Sequence, residues 1–402
     1  SIEQIYTKCL AQGAYYIESN GEAAVIDPLR ETTPYINRMR QNGAKIKYIF
    51  ETHFHADFVS GHIDLSKNTG AQIVFGPNAN PSYDFYAAHD EELFQIGDLS
   101  IKVIHTPGHT MESTCYVLRD KNGKDIAVFT GDTLFIGDVG RPDLAQKSAS
   151  MTQEDLAGML FDSLRMKLMK LEDDVVVYPA HGAGSACGKN MSKETFSTIG
   201  VQKQTNYALR GDMTKEEFVK ELTDGLLPPP QYFGMNVSMN KNGYDSIEEV
   251  MDRGTTALSL QEFIDFAIQE DVLLLDTRKA GVFAVGFVPK SVFIGLEGQF
   301  APWVGAVIPA DHQKIILITE KGKEEETVKR LARVGYDHVL GYLNGGFETW
   351  INANKEIDTI GRISVDDFSE LDLNKECVID VRKPGEYEAS HKLDIFMHIK
   401  IK

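Results

Sequence analysis

Two histidines and a carboxylate are packed into the stretch Thr52-His53-Phe54-His55-Ala56-Asp57-Phe58, directly after the apolar run Ile46 to Phe50. Imidazoles two residues apart, with a carboxylate two further on, bring three metal-binding side chains onto one short turn. Zinc and iron accept such mixed nitrogen and oxygen sets. Three further candidates each follow a strand-like run. His109 stands in Pro107-Gly108-His109-Thr110 after Ile101 to Ile104. Asp132 follows Gly131 and the run Ile126 to Phe129, and His181 lies in Pro179-Ala180-His181-Gly182 after Val175 to Tyr178. Two unrelated surface histidines would not produce this recurrence, so the joint pattern predicts a metal site. A two-ion hydrolytic centre of this layout needs a ligand beside Asp57, and Phe58 stands there instead. A single ion held by two histidines and one carboxylate remains easy to build. That facial set leaves positions open and suits non-haem Fe(II) and O2. The other His and Asp residues would orient the ligands and tune their basicity.

The elements that must hold these residues alternate between strand and helix. Ala14 to Asp27 reads as two strands joined by Asn20-Gly21, a hairpin signal. Thr33-Pro34 opens a short helix that Gly43 ends. A second short helix runs from Gly61 to about Asn68, and Gln72 to Phe75 returns as a strand. Residues 93 to 104 form a strand pair around Gly97-Asp98, and Asn122-Gly123 turns another. Leu156, Met159, Leu160, Leu164 and Leu168 keep helical spacing over residues 152 to 170. Ligands at strand ends in such a chain imply layered sheets flanked by helices, with the site at one rim.

The chain has 402 residues, too many for one ordinary core, so two or three domains are expected. A net charge of -18 argues against a broad nucleic-acid or anionic-membrane surface. No apolar run approaches the roughly 18 residues of a membrane span. No basic and apolar leader opens the chain. Cysteines at 9, 115, 187 and 377 are too scattered for a disulfide framework, which fits a cytoplasmic setting.

Pro228-Pro229-Pro230 breaks a polar, helical stretch, and residues 231–255 read as a linker or docking arm. Apolar docking through this arm would make a homodimer or homotetramer. Beyond it the chain repeats itself. Ser259-Leu-Gln-Glu-Phe263 matches Ser364-Val-Asp-Asp-Phe368, and Asp276-Thr-Arg278 matches Asp380-Val-Arg382. The offset of about 104 residues exceeds solenoid periods and indicates a duplicated domain. The second copy is barely started at Lys402.

At these motifs the resemblance is plain. Residues 1 to about 230 resemble the metallo-β-lactamase superfamily, and within it the persulfide dioxygenases. The matching pieces are Thr52-His-Phe-His-Ala-Asp57, Thr106-Pro-Gly-His-Thr110, Thr130-Gly-Asp132 and Gly140-Arg-Pro-Asp143. The resemblance implies an αββα sandwich that binds one Fe(II) per subunit through His53, His109 and Asp132. His55, Asp57 and His181 would surround them. The reaction implied is oxidation of a low-molecular-weight thiol persulfide by O2 to sulfite and the thiol. The related glyoxalase II thioester hydrolases carry His after the motif Asp. Phe58 weighs against that alternative more than against the oxygenase. Arg141, Asp143 and Cys187 are the candidate substrate residues. For Arg141 and Asp143 the competing role is a salt bridge that closes a loop, and for Cys187 a buried inert thiol.

The repeated unit resembles the rhodanese domain, an α/β fold, through Leu274-Leu-Asp-Thr-Arg278, Asn344-Gly-Gly-Phe347 and Ile379-Asp-Val-Arg-Lys-Pro-Gly-Glu386. An active rhodanese places a nucleophilic Cys after its central strand. Here Glu320 follows Ile315 to Thr319, so the first copy is expected to lack sulfur transfer. Cys377 precedes the strand of the second copy, on the wrong side for a nucleophile. The expected layout is a dioxygenase domain over 1–230, the arm over 231–255, a rhodanese-like domain over 256–356 and an incomplete second copy over 360–402.

Overall fold

The computed structural model describes residues 1–146, 150–310, 312–372, 375, 378–382, 384–390 and 396–397. The first half is built on two six-stranded sheets laid face to face. One has the order β1 (Ile2–Thr7), β2 (Gln12–Ser19), β3 (Glu22–Ile26), β4 (Lys45–Glu51), β5 (Gln72–Phe75) and β6 (Tyr86–Ala87). The other runs β12 (Ser197–Thr198), β11 (Val176–Pro179), β10 (Asp125–Gly131), β9 (Thr114–Arg119), β8 (Leu99–His105) and β7 (Leu93–Ile96). The hairpin predicted at Asn20-Gly21 forms, with both residues at positive φ. Alternation along the strands sends one set of side chains between the sheets. There Tyr15, Ile17, Phe50, Val103, Tyr116 and Phe129 make a closed apolar layer.

Helices cover the outer faces. Thr33–Asn42 and His62–Thr69 lie on the first sheet through Tyr35 and Leu65. Gln153–Met166 lies on the second through Ala157, Leu160 and Leu164. The spacing of Leu156, Leu160 and Leu164 predicts this helix, and a capping box between Thr152 and Asp155 starts it. The layers are therefore αββα. No helix among the described residues is long and apolar enough to cross a membrane.

The second unit is a five-stranded parallel sheet in the order β13 (Ala257–Leu258), β17 (Val339–Leu343), β16 (Lys314–Ile318), β14 (Val272–Asp276), β15 (Val292–Phe293). Its central strands are buried on both faces, as continuous apolar runs such as Ile315 to Ile318 require. In the repeat beyond it, Arg382 pairs with Asp380 as Arg278 pairs with Asp276. Cys377 and most of the tail after Ser390 lie outside the described residues.

The stretch read as a linker is ordered. It forms the helices Phe233–Asn242 and Ile247–Gly254, the latter with a capping box between Ser246 and Glu249. The apolar periodicity of the first helix was weak because its buried positions include Asn236 and Asn240. Asn240 works as a clamp on the histidine motif. Its amide donates to the carbonyls of His55 (2.8 Å) and Phe58 (2.9 Å) and accepts from Ser60 N–H (2.9 Å). Tyr232, Phe233, Ile247 and Val250 are buried in the chain's own core, so their apolar character is spent within the subunit. It gives no ground for docking between copies.

That core is shared by the two units. One apolar cluster holds Leu10, Phe58 and Phe135 of the sandwich together with Phe300, Val304 and Leu331 of the parallel unit. Polar contacts fasten the same seam. Arg30 is fully buried and donates to Asp337 at 2.8 Å and to the Asp245 carbonyl at 2.9 Å. Its guanidinium also lies 4.1 Å from the Tyr244 ring centre. Arg333 chelates Glu31, and its carbonyl accepts from Val59 N–H at 2.8 Å. Removing one partner of a buried ion pair leaves the other charge unpaired. Asp337→Ala should therefore cost about 3–5 kcal/mol of stability, measured by denaturant unfolding. The double variant Arg30→Met/Asp337→Leu should recover most of that loss.

Candidate metal centre

The three candidate ligands, and His181 beside them, each stand at a strand end: His53 follows β4, His109 follows β8, Asp132 follows β10 and His181 follows β11. Two glycines make the convergence possible. Gly131 sits at φ +52°, and a side chain there would run into Thr52. A Cβ on Gly140 would overlap the Asp132 carbonyl and press on His109 Nδ1. The loop after Asp132 can therefore close over the site only with glycine at 140.

His53, His109 and Asp132 come together, all buried, with their ligand atoms within 4.8 Å of one another. Asp132 Oδ2 lies 3.8 Å from His53 Nε2 and 3.5 Å from His109 Nε2. It has no hydrogen-bond partner, although its atom is fully buried. An orphaned carboxylate oxygen facing two imidazole nitrogens fits a cation between the three groups.

The outer ring nitrogens are tied down so that Nε2 is left for that cation. His109 Nδ1 donates to the Arg141 carbonyl at 2.7 Å. His53 Nδ1 bonds Thr52 Oγ1 at 2.9 Å, and that hydroxyl donates to Asp27 Oδ2 at 2.8 Å. Asp27 also accepts from Thr52 N–H. The relay Asp27–Thr52–His53 fixes the tautomer that presents a lone pair inward. Burial and the neighbouring His55 hold His53 well below the usual imidazole range, so it is neutral and ready to ligate. Burial alone would raise Asp132. The surrounding histidines, His181 first, overcome this and hold its carboxyl below the usual range.

His55 points away from this group. Its Nε2 is 3.1 Å from Asp27 Oδ1 and 3.7 Å from Glu51 Oε2. Burial, then the charge of Asp27, push Glu51 well above the usual carboxylate range. His181 bridges Asp132 Oδ1 and Asp57 Oδ2, both at 2.8 Å. Burial opposes its charge, but the two carboxylates outweigh burial and raise it well above the usual range. Cys187 joins Asp57 and His181 in a second buried group whose ligand atoms lie within 4.8 Å. Burial, with Asp57 and Asp132 nearby, pushes its thiol far up, so a reactive thiolate does not form there in the unliganded protein.

Arg141 and Asp143 form a bidentate pair, both bonds 2.7 Å. The same guanidinium donates to the carbonyls of Ala186 and Leu227. Its charge is thus committed to closing the loop. The residues beyond the expected set are Asp27, Glu51, Thr52, Gly140 and Asn240. Asp27 left one trace, as the acidic end of a strand before Pro28.

In the second unit, Glu320 follows β16 and its carboxylate accepts weakly from Lys279 N–H at 3.4 Å. A cavity of about 590 Å3 opens there among Arg278, Lys279, Glu320 and Lys323. The sequence has no cysteine between 188 and 376.

An αββα sandwich with His and Asp ligands at its strand ends, joined to a parallel α/β unit, defines a metal-binding protein with an appended sulfurtransferase-like fold. Comparison with known proteins agrees. Residues 8–181 match the metallo-beta-lactamase superfamily model, and residues 259–353 match the rhodanese-like domain model. A probable hydroxyacylglutathione hydrolase of Schizosaccharomyces pombe is 31% identical over 48% of this chain and 72% of its own length. The human mitochondrial persulfide dioxygenase ETHE1 is 30% identical over 54% of this chain and 78% of its own. A crystal structure of a metallo-beta-lactamase from Staphylococcus aureus covers 86% of this chain and 98% of its own, with TM-score 0.74 and 28% identity. ETHE1 from Myxococcus xanthus covers 60% and 98%, with TM-score 0.51 and 27% identity. The chain belongs to the metallo-β-lactamase superfamily, and its sandwich is followed by a rhodanese-like domain.

Thr52→Val keeps the shape of the side chain and breaks the relay to His53. Affinity for a divalent metal ion should fall about 10- to 100-fold, read by titration with a competing chelator, while the fold is retained.

Proposed function

We propose that this protein is a mononuclear iron persulfide dioxygenase. It would oxidise a low-molecular-weight thiol persulfide by the balance RSSH + O2 + H2O → RSH + SO3²⁻ + 2 H⁺. The observation that carries this reading is the buried set His53, His109 and Asp132, with the apolar Phe58 beside Asp57. His53, His109 and Asp132 would hold an Fe(II) ion, which would supply the redox chemistry between a persulfide and O2.

The chain's own residues do the rest. His109 and His53 are held in the ligating tautomer by the Arg141 carbonyl and by Thr52. His181 stands between Asp132 Oδ1 and Asp57 Oδ2, 2.8 Å from each, and fixes how the Asp132 carboxylate is turned toward the metal site. Phe58 and Phe135 pack their rings against His181 and make the inner side of the site apolar. The rhodanese-like domain, with Glu320 in place of a nucleophile, has no group to carry sulfur, so it is read as catalytically silent. The cysteines at 9, 115 and 187 form no disulfide, which supports a reducing, cytoplasmic setting.

One observation favours a second reading. Asp57, His181 and Cys187 offer a second set of ligand atoms, and a second ion there would make a hydrolytic pair of the glyoxalase II kind. The two readings separate cleanly in one experiment. Anaerobically iron-loaded protein given glutathione persulfide should consume O2 and release sulfite in equal amounts. His109→Ala should lower that rate by at least about 10³-fold, with iron content falling in parallel. Hydrolysis of a glutathione thioester without O2 uptake would move the assignment to the hydrolase.

A further inference from the structure

The rhodanese-like domain keeps its fold without a nucleophile, and its helix Phe300–Val307 lies against the sandwich beside the metal centre. The contact is close. Gly305 lies so near the Tyr232 ring that a Cβ there would overlap it. Phe300, Ala301 and Val304 are buried in the same cluster as Phe58 and Cys187. A cleft of about 620 Å3 follows this seam. Its inner end is Asp57, which is one imidazole, that of His181, away from Asp132. One wall belongs to the sandwich, with Gly184–Ala186 and Pro228–Pro230. The other belongs to the rhodanese-like domain, with Gln299, Pro302 and Ala306.

The chemistry of the walls is uniform. No lysine, arginine or glutamate lines the cleft, and Asp57 is its one carboxylate. A carrier with a carboxylate close to its sulfur would lose hydration there, meet no countercharge and face the carboxylate of Asp57. An amide-bearing, uncharged arm would meet prolines, alanines and the glutamine side chains instead.

We propose that the silent rhodanese-like domain forms the outer wall of the entrance to the metal centre. Its helix Phe300–Val307 thereby selects thiol carriers whose arm next to the sulfur bears no carboxylate. The inference deepens the dioxygenase reading and rests on it for the substrate, while the entrance itself would serve either reaction.

The test compares N-acetylcysteamine persulfide, cysteine persulfide and inorganic hydrodisulfide as substrates of the iron-loaded full chain. Ala306 is exposed on the cleft, so substitutions there leave the core intact. Ala306→Trp should raise KM for N-acetylcysteamine persulfide about tenfold, leave kcat and iron content unchanged, and shift KM for the hydrodisulfide less than about twofold. Ala306→Lys should lower KM for cysteine persulfide relative to the neutral carrier by about fivefold or more. Trp303→Ala, on the same helix but outside the cleft, should change none of these ratios. Unchanged KM ratios in both Ala306 variants, at full iron content, would overturn the proposal. If the wild type oxidises no persulfide, the dioxygenase reading falls. The same ratios are then taken from hydrolysis of N-acetylcysteamine and cysteine thioesters, where unchanged values again overturn the entrance. A wild type with neither activity overturns both.

Discussion

The carboxylate of Asp132 is the group on which the site depends. It is buried, yet one oxygen is committed to His181 and the other is left facing His53 and His109. Burying an ionised carboxylate costs several kcal/mol unless charge or hydrogen bonds compensate. The compensation comes from three imidazoles brought in by three other strand ends. Each of these is in turn held by something further out: Thr52 and Asp27 behind His53, the Arg141 carbonyl behind His109, Asp57 behind His181. A cation between Asp132 Oδ2 and the two Nε2 atoms completes a set that is otherwise short of positive charge.

The same constraint explains why the two domains are joined so firmly. The loop that carries His53, His55 and Asp57 has little regular structure of its own. Asn240 ties its backbone from one side, and the Arg333 carbonyl holds Val59 from the other. Both come from beyond the sandwich. The buried Arg30–Asp337 pair and the shared apolar cluster keep those supports in register. A ligand geometry good to a few tenths of an ångström thus depends on packing between domains as much as on the strands that deliver the ligands.

Much of this was legible in the sequence because it rests on local patterns. Strand ends followed by His or Asp marked the residues that the structure gathers into one buried group. The leucine spacing over residues 152 to 170 marked the helix that covers the second sheet. The repeat of Asp276-Thr-Arg278 at Asp380-Val-Arg382 shows in the structure as the same Asp–Arg pair in both segments. The supports were less legible, for physical reasons. Asn240 sits in a helix whose buried face is polar, so no apolar stripe announced it. Thr52 is the neighbour of His53, but Asp27 reaches that pair only through the pairing of β3 with β4, which a sequence does not encode as spacing. Arg141 in Gly140-Arg-Pro-Asp143 stood out as a charge near the site. Its guanidinium is saturated by Asp143 and two carbonyls, and its contribution to the metal centre is the backbone oxygen that holds His109. Main-chain roles of this kind leave no trace in side-chain identity.

The most direct measurement is X-ray absorption at the iron edge of the anaerobically loaded full-length chain. The account predicts one iron per chain, two imidazoles and otherwise light oxygen or nitrogen scatterers, with no sulfur and no second metal. A metal–metal vector at about 3.5–4 Å, or a sulfur ligand from Cys187, would contradict it and favour a two-ion centre.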